Sequence, residues 1–167
     1  LRKKNNLTKY NWDYKVILPG YNYRLSDIAS ALGISQLKKI DKFIKIRNKN
    51  FQIYKKALIK FKKYLNLPVL QKDQLSSNHL YIINLNLKNL KIDRDKFIQE
   101  LFKSNILCQV HYIPVFFHPL YKYLKTPNLS QSVEYFNNSL SLPMHVNLKK
   151  IDIKYICKSI EKTLLKF

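Results

Sequence analysis

Between Leu25 and Leu58, apolar residues return about every 3.6 positions: Leu25, Ile28, Ala29 and Leu32, then Leu37, Ile40, Phe43, Ile44, Phe51, Tyr54 and Leu58. A periodic run of this length predicts one long helix or two consecutive ones, ending near Phe61. Ser26 stands at an N-cap position, and Asp27 falls in the first turn, where a carboxylate meets the positive end of the helix dipole. Gly33 is expected to weaken or bend the run, and Asp41 to restart it. The stretch 1–24 ahead of it is polar and aromatic, with Pro19-Gly20 reading as a turn. It reads as an arm and an exposed loop.

Beyond the helical segment the periodicity changes. His79–Leu87 carries strand-like apolar content, and Asp93 can cap a helix through Ser104 whose buried stripe is Phe97, Ile98, Leu101 and Phe102. Ile106–Tyr112 reads as the next strand, and residues 113–129 as an irregular segment rich in Pro and aromatics. A short helix is expected around Ser130–Asn138. The last helix is expected from about Asp152, with Ile153, Ile156, Cys157, Ile160 and Leu164 on one face. The order helix, strand, helix, strand, helix, helix predicts an α/β or α+β domain with a small sheet. The expected organisation is an arm and loop over 1–24, a helical segment over 25–62 and a small α/β domain over 63–167.

Composition narrows the function classes. At 46% hydrophobic and 13% aromatic residues, the 167-residue chain can bury a core, which argues against wholesale disorder. The net charge of +21 invites a nucleic-acid reading, yet only four of the 31 basic residues are Arg (Arg2, Arg24, Arg47 and Arg94). Base readout and bidentate phosphate grips favour Arg over Lys. Lys, Asn and Ile together are the residues of A/T-rich codons, so genome bias accounts for the excess without a nucleic-acid partner. Two glycines leave no Gly-rich phosphate loop. No apolar run reaches the roughly 18 residues of a membrane span, and the first residues precede no signal core. Cys108 and Cys157 form no C-x-x-C pair, consistent with a reduced, cytoplasmic protein. The four His lack metal-ligand spacing, so no metal site is expected. The chain starts without Met and reads as a piece of something longer.

Three segments are candidates for chemistry. In Gly20-Tyr21-Asn22-Tyr23-Arg24-Leu25-Ser26-Asp27, the Asn22 amide, the Arg24 guanidinium and the helix start can together hold an anion. The alternative is a turn, an ordinary N-cap and a solvated Arg24. In Gln109-Val110-His111-Tyr112-Ile113-Pro114, strand alternation sends Gln109 and His111 to one side and Val110 and Tyr112 to the other. A His or Tyr at a strand end can reach a ligand, while the alternative makes His111 a hydrogen-bonded structural residue. Ser141-Leu142-Pro143-Met144-His145 reads most simply as a buried connector, and His118 as an exposed loop residue. No Ser/His/Asp or Cys/His arrangement is legible.

Taken in order, GYNYRLSDIASALGISQLKKIDKFIKIRN, VHYIPVFFHPLY and SLPMH resemble three landmarks of the DegT/StrS-type sugar aminotransferases. The wording QVHYIPV is most similar to the pseudaminic acid branch, whose members aminate C4 of a UDP-linked 4-keto-6-deoxy N-acetylhexosamine. The resemblance runs from about Trp12 to the end of the chain.

That resemblance implies the C-terminal part of a fold type I pyridoxal phosphate (PLP) transferase. No Lys here sits in the family's Lys-plus-GEGG context, so the large domain with the Schiff-base Lys is expected to precede this segment, and no catalytic residue is expected within it. By position, the resemblance makes Asn22 a contact of the PLP phosphate of the other subunit in a homodimer. It puts Arg24 near substrate phosphates and makes Gln109, Val110, His111 and Tyr112 the lining of a UDP-sugar pocket, with glutamate the expected amino donor. Two other readings are kept: a non-catalytic assembly subunit of a split aminotransferase, and a basic nucleic-acid-binding module.

Overall fold

A computed structural model describes residues 2–3, 15–16, 18–21, 23–70, 75–121, 123 and 128–167, and the chain divides into two compact units, Leu1–Lys39 and Ile40–Phe167. The helical segment anticipated over 25–62 is two helices, and the division between the units falls between them.

In the first unit, β1 (Arg2–Lys3) pairs antiparallel with β2 (Lys15–Val16), and α1 spans Asp27–Leu37. Ser26 is extended, and its hydroxyl accepts the Ala29 amide at 3.3 Å, the N-cap expected from the sequence. Gly33 does not end the helix. The helix runs through it, and a Cβ there would meet nothing within 4 Å. The break comes at Lys38, whose amide donates to the Ile34 carbonyl at 3.1 Å while the Lys39 amide donates to the Gln36 carbonyl at 3.0 Å. No residue of α1 is buried. Ile28, Leu32, Ile34 and Leu37 are all exposed, so apolar side chains lie on several sides of the helix.

The second unit opens with α2 (Ile40–Leu58), with Asp41 in its first turn, and a single 3-10 turn at Ile59–Phe61 closes it. β3 (Leu65–Asn66), β4 (Tyr81–Leu85) and β5 (Ser139–Leu142) form an antiparallel sheet in that order, with α3 (Arg94–Phe102) and α4 (Ser130–Asn138) between β4 and β5 in the chain and α5 (Lys150–Lys166) last. Register places Leu65 beside Leu85, Ile83 beside Leu140 and Tyr81 beside Leu142. One face of the sheet is thus wholly apolar. It joins Phe51, Tyr54 and Leu58 of α2, Phe97 and Leu101 of α3, and Ile153, Ile156, Ile160 and Leu164 of α5 in one buried core. Tyr81 sits between Phe51 and Tyr54, with ring centroids 5.1 and 4.8 Å away. Asp93 caps α3 by accepting the Lys96 amide at 2.7 Å.

Two expectations change. Ile106–Tyr112 is not a strand: it makes a single antiparallel bridge, Gln109 to Ser141. Ser139–Leu142 is the strand instead, and it takes in Ser141 and Leu142 of the stretch 141–145 expected as a buried connector. The hydrogen-bonding edge of β4 from Tyr81 to Asn84 is already taken by β5. The Ile106 amide is held by the Leu101 carbonyl at the end of α3, so the chain meets the free edge of β5 only at Gln109. All four β5 residues are buried, including Ser139 and Ser141.

Candidate functional site

The two candidate segments lie in different units, and each is built by its own local structure. In the first, Asn22 falls outside the described residues. Around it, Tyr21 and Tyr23 stack face to face with centroids 5.2 Å apart, and both are exposed. Arg24 is exposed and makes no ion pair or hydrogen bond among the described residues. It stands just ahead of the capped start of α1. A free guanidinium beside a helix N-terminus has the chemistry to hold an anion, although Ser26 already satisfies one of the amides there.

In the second segment, the Gln109–Ser141 bridge sets the geometry. The Ser141 amide donates to the Gln109 carbonyl at 2.8 Å, and the Gln109 amide donates back to the Ser141 carbonyl at 3.2 Å. Past this point the chain leaves the sheet, so strand alternation no longer governs its side chains. Gln109 is exposed, Val110 and His111 are half-buried, and Tyr112 is 76% exposed. His111 Nε2 lies 2.8 Å from the Ser141 hydroxyl, and the imidazole meets the Tyr112 ring edge-on at 4.7 Å. His111 is therefore anchored to the sheet, while Tyr112 projects outward.

Tyr112, Phe116, Tyr135 and Phe136 form the aromatic wall of a groove of about 530 Å³ between this loop and α4, with Gln131 and Ser132 on its polar side. The groove is held in shape by Arg94, a buried arginine at the start of α3. Its guanidinium lies 4.8 Å from the Phe136 ring centroid, donates to the Phe136 carbonyl, and grips Asp95 through Nε at 2.9 Å and a terminal nitrogen at 2.8 Å. Sequence reasoning missed Tyr135 and Phe136, and read Ser141 only as part of a buried connector, without a partner for its hydroxyl. The signal for Ser141 was a small polar residue between two leucines, which a buried strand keeps only if its hydroxyl is bonded. His118 is exposed between two 3-10 turns, as expected. His145 is exposed on a separate apolar cavity lined by Pro143, Leu148 and Tyr155.

No nucleophile emerges. Burial pushes the thiols of Cys108 and Cys157 up to about 12, which keeps both protonated at neutral pH. Among the described residues, no group of three or more His, Cys, Asp or Glu is placed to hold a metal, and no helix is long and apolar enough to cross a membrane. Every described lysine from Lys38 to Lys166 is exposed, so none of these sits in the kind of desolvated pocket that activates a Schiff-base lysine.

Comparison with known proteins is consistent with this geometry. The chain is 34% identical over 167 residues to the UDP-4-amino-4,6-dideoxy-N-acetyl-beta-L-altrosamine transaminase of Helicobacter pylori, covering 99% of this chain and 44% of the relative. It superposes on the solved structure of Helicobacter pylori PseC, an aminotransferase of pseudoaminic acid biosynthesis, with a TM-score of 0.81 at 34% identity, over 96% of this chain and 43% of that one. A sugar aminotransferase from Streptococcus pneumoniae, described as putative and solved in its PMP-form, matches with a TM-score of 0.79 at 26% identity over 99% of this chain and 42% of that one. The chain thus spans about two-fifths of the length of these relatives. Residues 2–161 match the DegT/DnrJ/EryC1/StrS aminotransferase family, and the chain belongs to that family.

Proposed function

We propose that this chain is the C-terminal portion of a PLP-dependent aminotransferase that transfers an amino group, with glutamate as donor, to C4 of a UDP-linked 4-keto-6-deoxy amino sugar. The observation that carries this reading is the near end-to-end similarity to the Helicobacter pylori transaminase, over 99% of the chain. When bound, PLP would supply the electron sink for amino transfer. The described lysines from Lys38 to Lys166 do not by themselves fit that cofactor: all are exposed, and none of them is placed as its covalent anchor. Its ring and Lys partners belong to the remainder of the protein.

What this chain would contribute is recognition. Asn22 and Arg24 supply an amide and a guanidinium for phosphate oxygens, with Asn22 serving the partner subunit's site in a homodimer. Gln109, Val110, His111 and Tyr112 line one side of the nucleotide-sugar pocket, and the aromatic groove beside Tyr112 offers flat apolar surface to a base or sugar face. A pathway of surface-glycan synthesis in the cytoplasm is the matching context.

The test is a chimera in which this chain replaces the corresponding C-terminal part of the Helicobacter pylori enzyme. It should retain PLP and aminate a UDP-4-keto-6-deoxy amino sugar. A folded, PLP-loaded chimera that turns over other keto sugars but not this one would overturn the sugar assignment. The nucleic-acid alternative would require tight, strongly salt-dependent binding of the 167-residue chain to DNA.

A further inference from the structure

Ser141 lies in the middle of β5, 5% exposed, and has one hydroxyl proton for two close neighbours. His111 Nε2 stands 2.8 Å from its oxygen, and the Gln109 carbonyl stands 3.3 Å from it. Only one arrangement makes both contacts attractive: Nε2–H of His111 donates to the Ser141 oxygen, and the Ser141 O–H donates to the Gln109 carbonyl. In the reverse arrangement the hydroxyl donates to a bare Nε2. Its own lone pairs would then face the lone pairs of the Gln109 carbonyl, at a serine only 5% exposed. Such a contact forfeits a hydrogen bond in a low-dielectric setting and adds repulsion. The Ser141 backbone amide already fixes the Gln109 carbonyl at 2.8 Å, so that carbonyl cannot swing away.

We infer that Ser141 is a positioning residue that holds neutral His111 in its Nε2–H form. Nδ1 then remains as the only ring nitrogen without a partner among the described residues, and it is a hydrogen-bond acceptor. The consequence for a ligand rests on the reading that the loop after Gln109 lines a ligand pocket. A neutral His111 would take an O–H or N–H of that ligand, such as a sugar hydroxyl or a base imide. It would not donate to a phosphate oxygen.

The experiment uses the 167-residue chain itself, labelled with ¹⁵N at histidine and without ligand, so that its result is independent of the nucleotide-sugar reading. The ring signals of His111 are identified by their loss in His111→Asn. Long-range ¹H–¹⁵N correlations above the titration range should show a bare Nδ1 and a protonated Nε2 in the parent chain. In Ser141→Ala this preference should collapse towards a mixture of both forms, and in Ser141→Thr, which keeps the hydroxyl, it should return. A protonated Nδ1 in the parent chain overturns the inference, and it needs no variant to fold. An unchanged ring signature in a folded Ser141→Ala chain overturns it equally, since a merely structural serine would leave the protonation pattern alone.

Discussion

The phenol of Tyr54, in the middle of α2, donates to the carbonyl of Pro143 at 2.9 Å, just where the chain leaves β5. This bond ties the longest helix of the second unit to the strand that anchors His111. Replacing Tyr54 with Phe keeps the buried ring and its contact with Tyr81 but strands the Pro143 carbonyl. The expected loss of stability is roughly 1–2 kcal/mol, read as a lower urea midpoint with an unchanged slope. A midpoint equal to that of the parent chain would show that water reaches the carbonyl in place of the phenol.

Alkali should act on the same core. Burial raises the phenols of Tyr54 and Tyr81 well above their ordinary value of 10.0, and raises Cys108 and Cys157 from 9.0 to about 12. All four groups hold their protons more tightly when folded. Their contribution is complete below the unfolded values and is lost as pH rises above about 9 towards the folded ones. Each buried thiol should cost on the order of 1 kcal/mol by pH 10. Urea titrations at pH 8, 9 and 10 check this. At pH 8 the native thiols should also react with iodoacetamide at least about a hundredfold more slowly than in the unfolded chain.

Acid should act at Glu100. Hydrogen bonds from Lys103 at 2.6 Å and Lys166 at 2.8 Å hold this carboxylate down to about 2, from an ordinary 4.5. Lys166 is on α5 and Glu100 on α3, so the cluster joins two helices. A lowered folded value stabilises above pH 4.5, and the benefit drains away as pH falls towards 2. Glu100→Gln should therefore lower the melting temperature at pH 7 by an amount that shrinks with added salt and vanishes near pH 2. An equal deficit at both pH values would mean the substitution acts through packing rather than charge.

Arg94 sets up a different test, because its fork and its flat face are used together. Arg94→Lys keeps the charge but cannot grip Asp95 through two nitrogens while also reaching the Phe136 carbonyl. The expected cost is about 1–2 kcal/mol, accompanied by a change in the near-UV circular dichroism of the aromatic groove. A variant with native stability and an unaltered spectrum would show that α4 is held by its apolar contacts alone.

The exposed lysines carry a prediction about the cofactor. Incubated with PLP and reduced with borohydride, the 167-residue chain should show scattered, substoichiometric labelling over many lysines. A single lysine modified in every molecule would place the covalent anchor within this segment and end the proposal that it lies elsewhere in the protein.

Helices with a strong stripe and a cap were legible in the sequence, because a helix is a local structure. Ser26 and Asp93 cap as their residue types require. Ile153, Ile156, Cys157, Ile160 and Leu164 are buried together on α5. The sheet was less legible because pairing is settled between distant segments. Ile106–Tyr112 has strand composition, yet Ser139–Leu142 won the edge of β4. At the candidate site, Gly20–Asp27 and Gln109–Pro114 stood out by residue type and placement, but each kept a structural alternative until their likeness to a family gave them roles. The Ser141 hydroxyl and the aromatic wall on α4 were invisible, since both reach their partners only after the chain has folded back over some 20 to 30 residues.

The Gln109–Ser141 bridge amounts to one pair of backbone hydrogen bonds between the loop that follows Gln109 and a fully buried strand. Its rupture exposes little of the apolar core, so the loop can open by itself at a small fraction of the free energy of global unfolding. In deuterated water, the amides of Gln109 and Ser141 should exchange through this local opening, well ahead of the Ile83 and Leu140 amides inside the β4–β5 ladder. A loop held this way can change the residues it presents without disturbing the core that carries it.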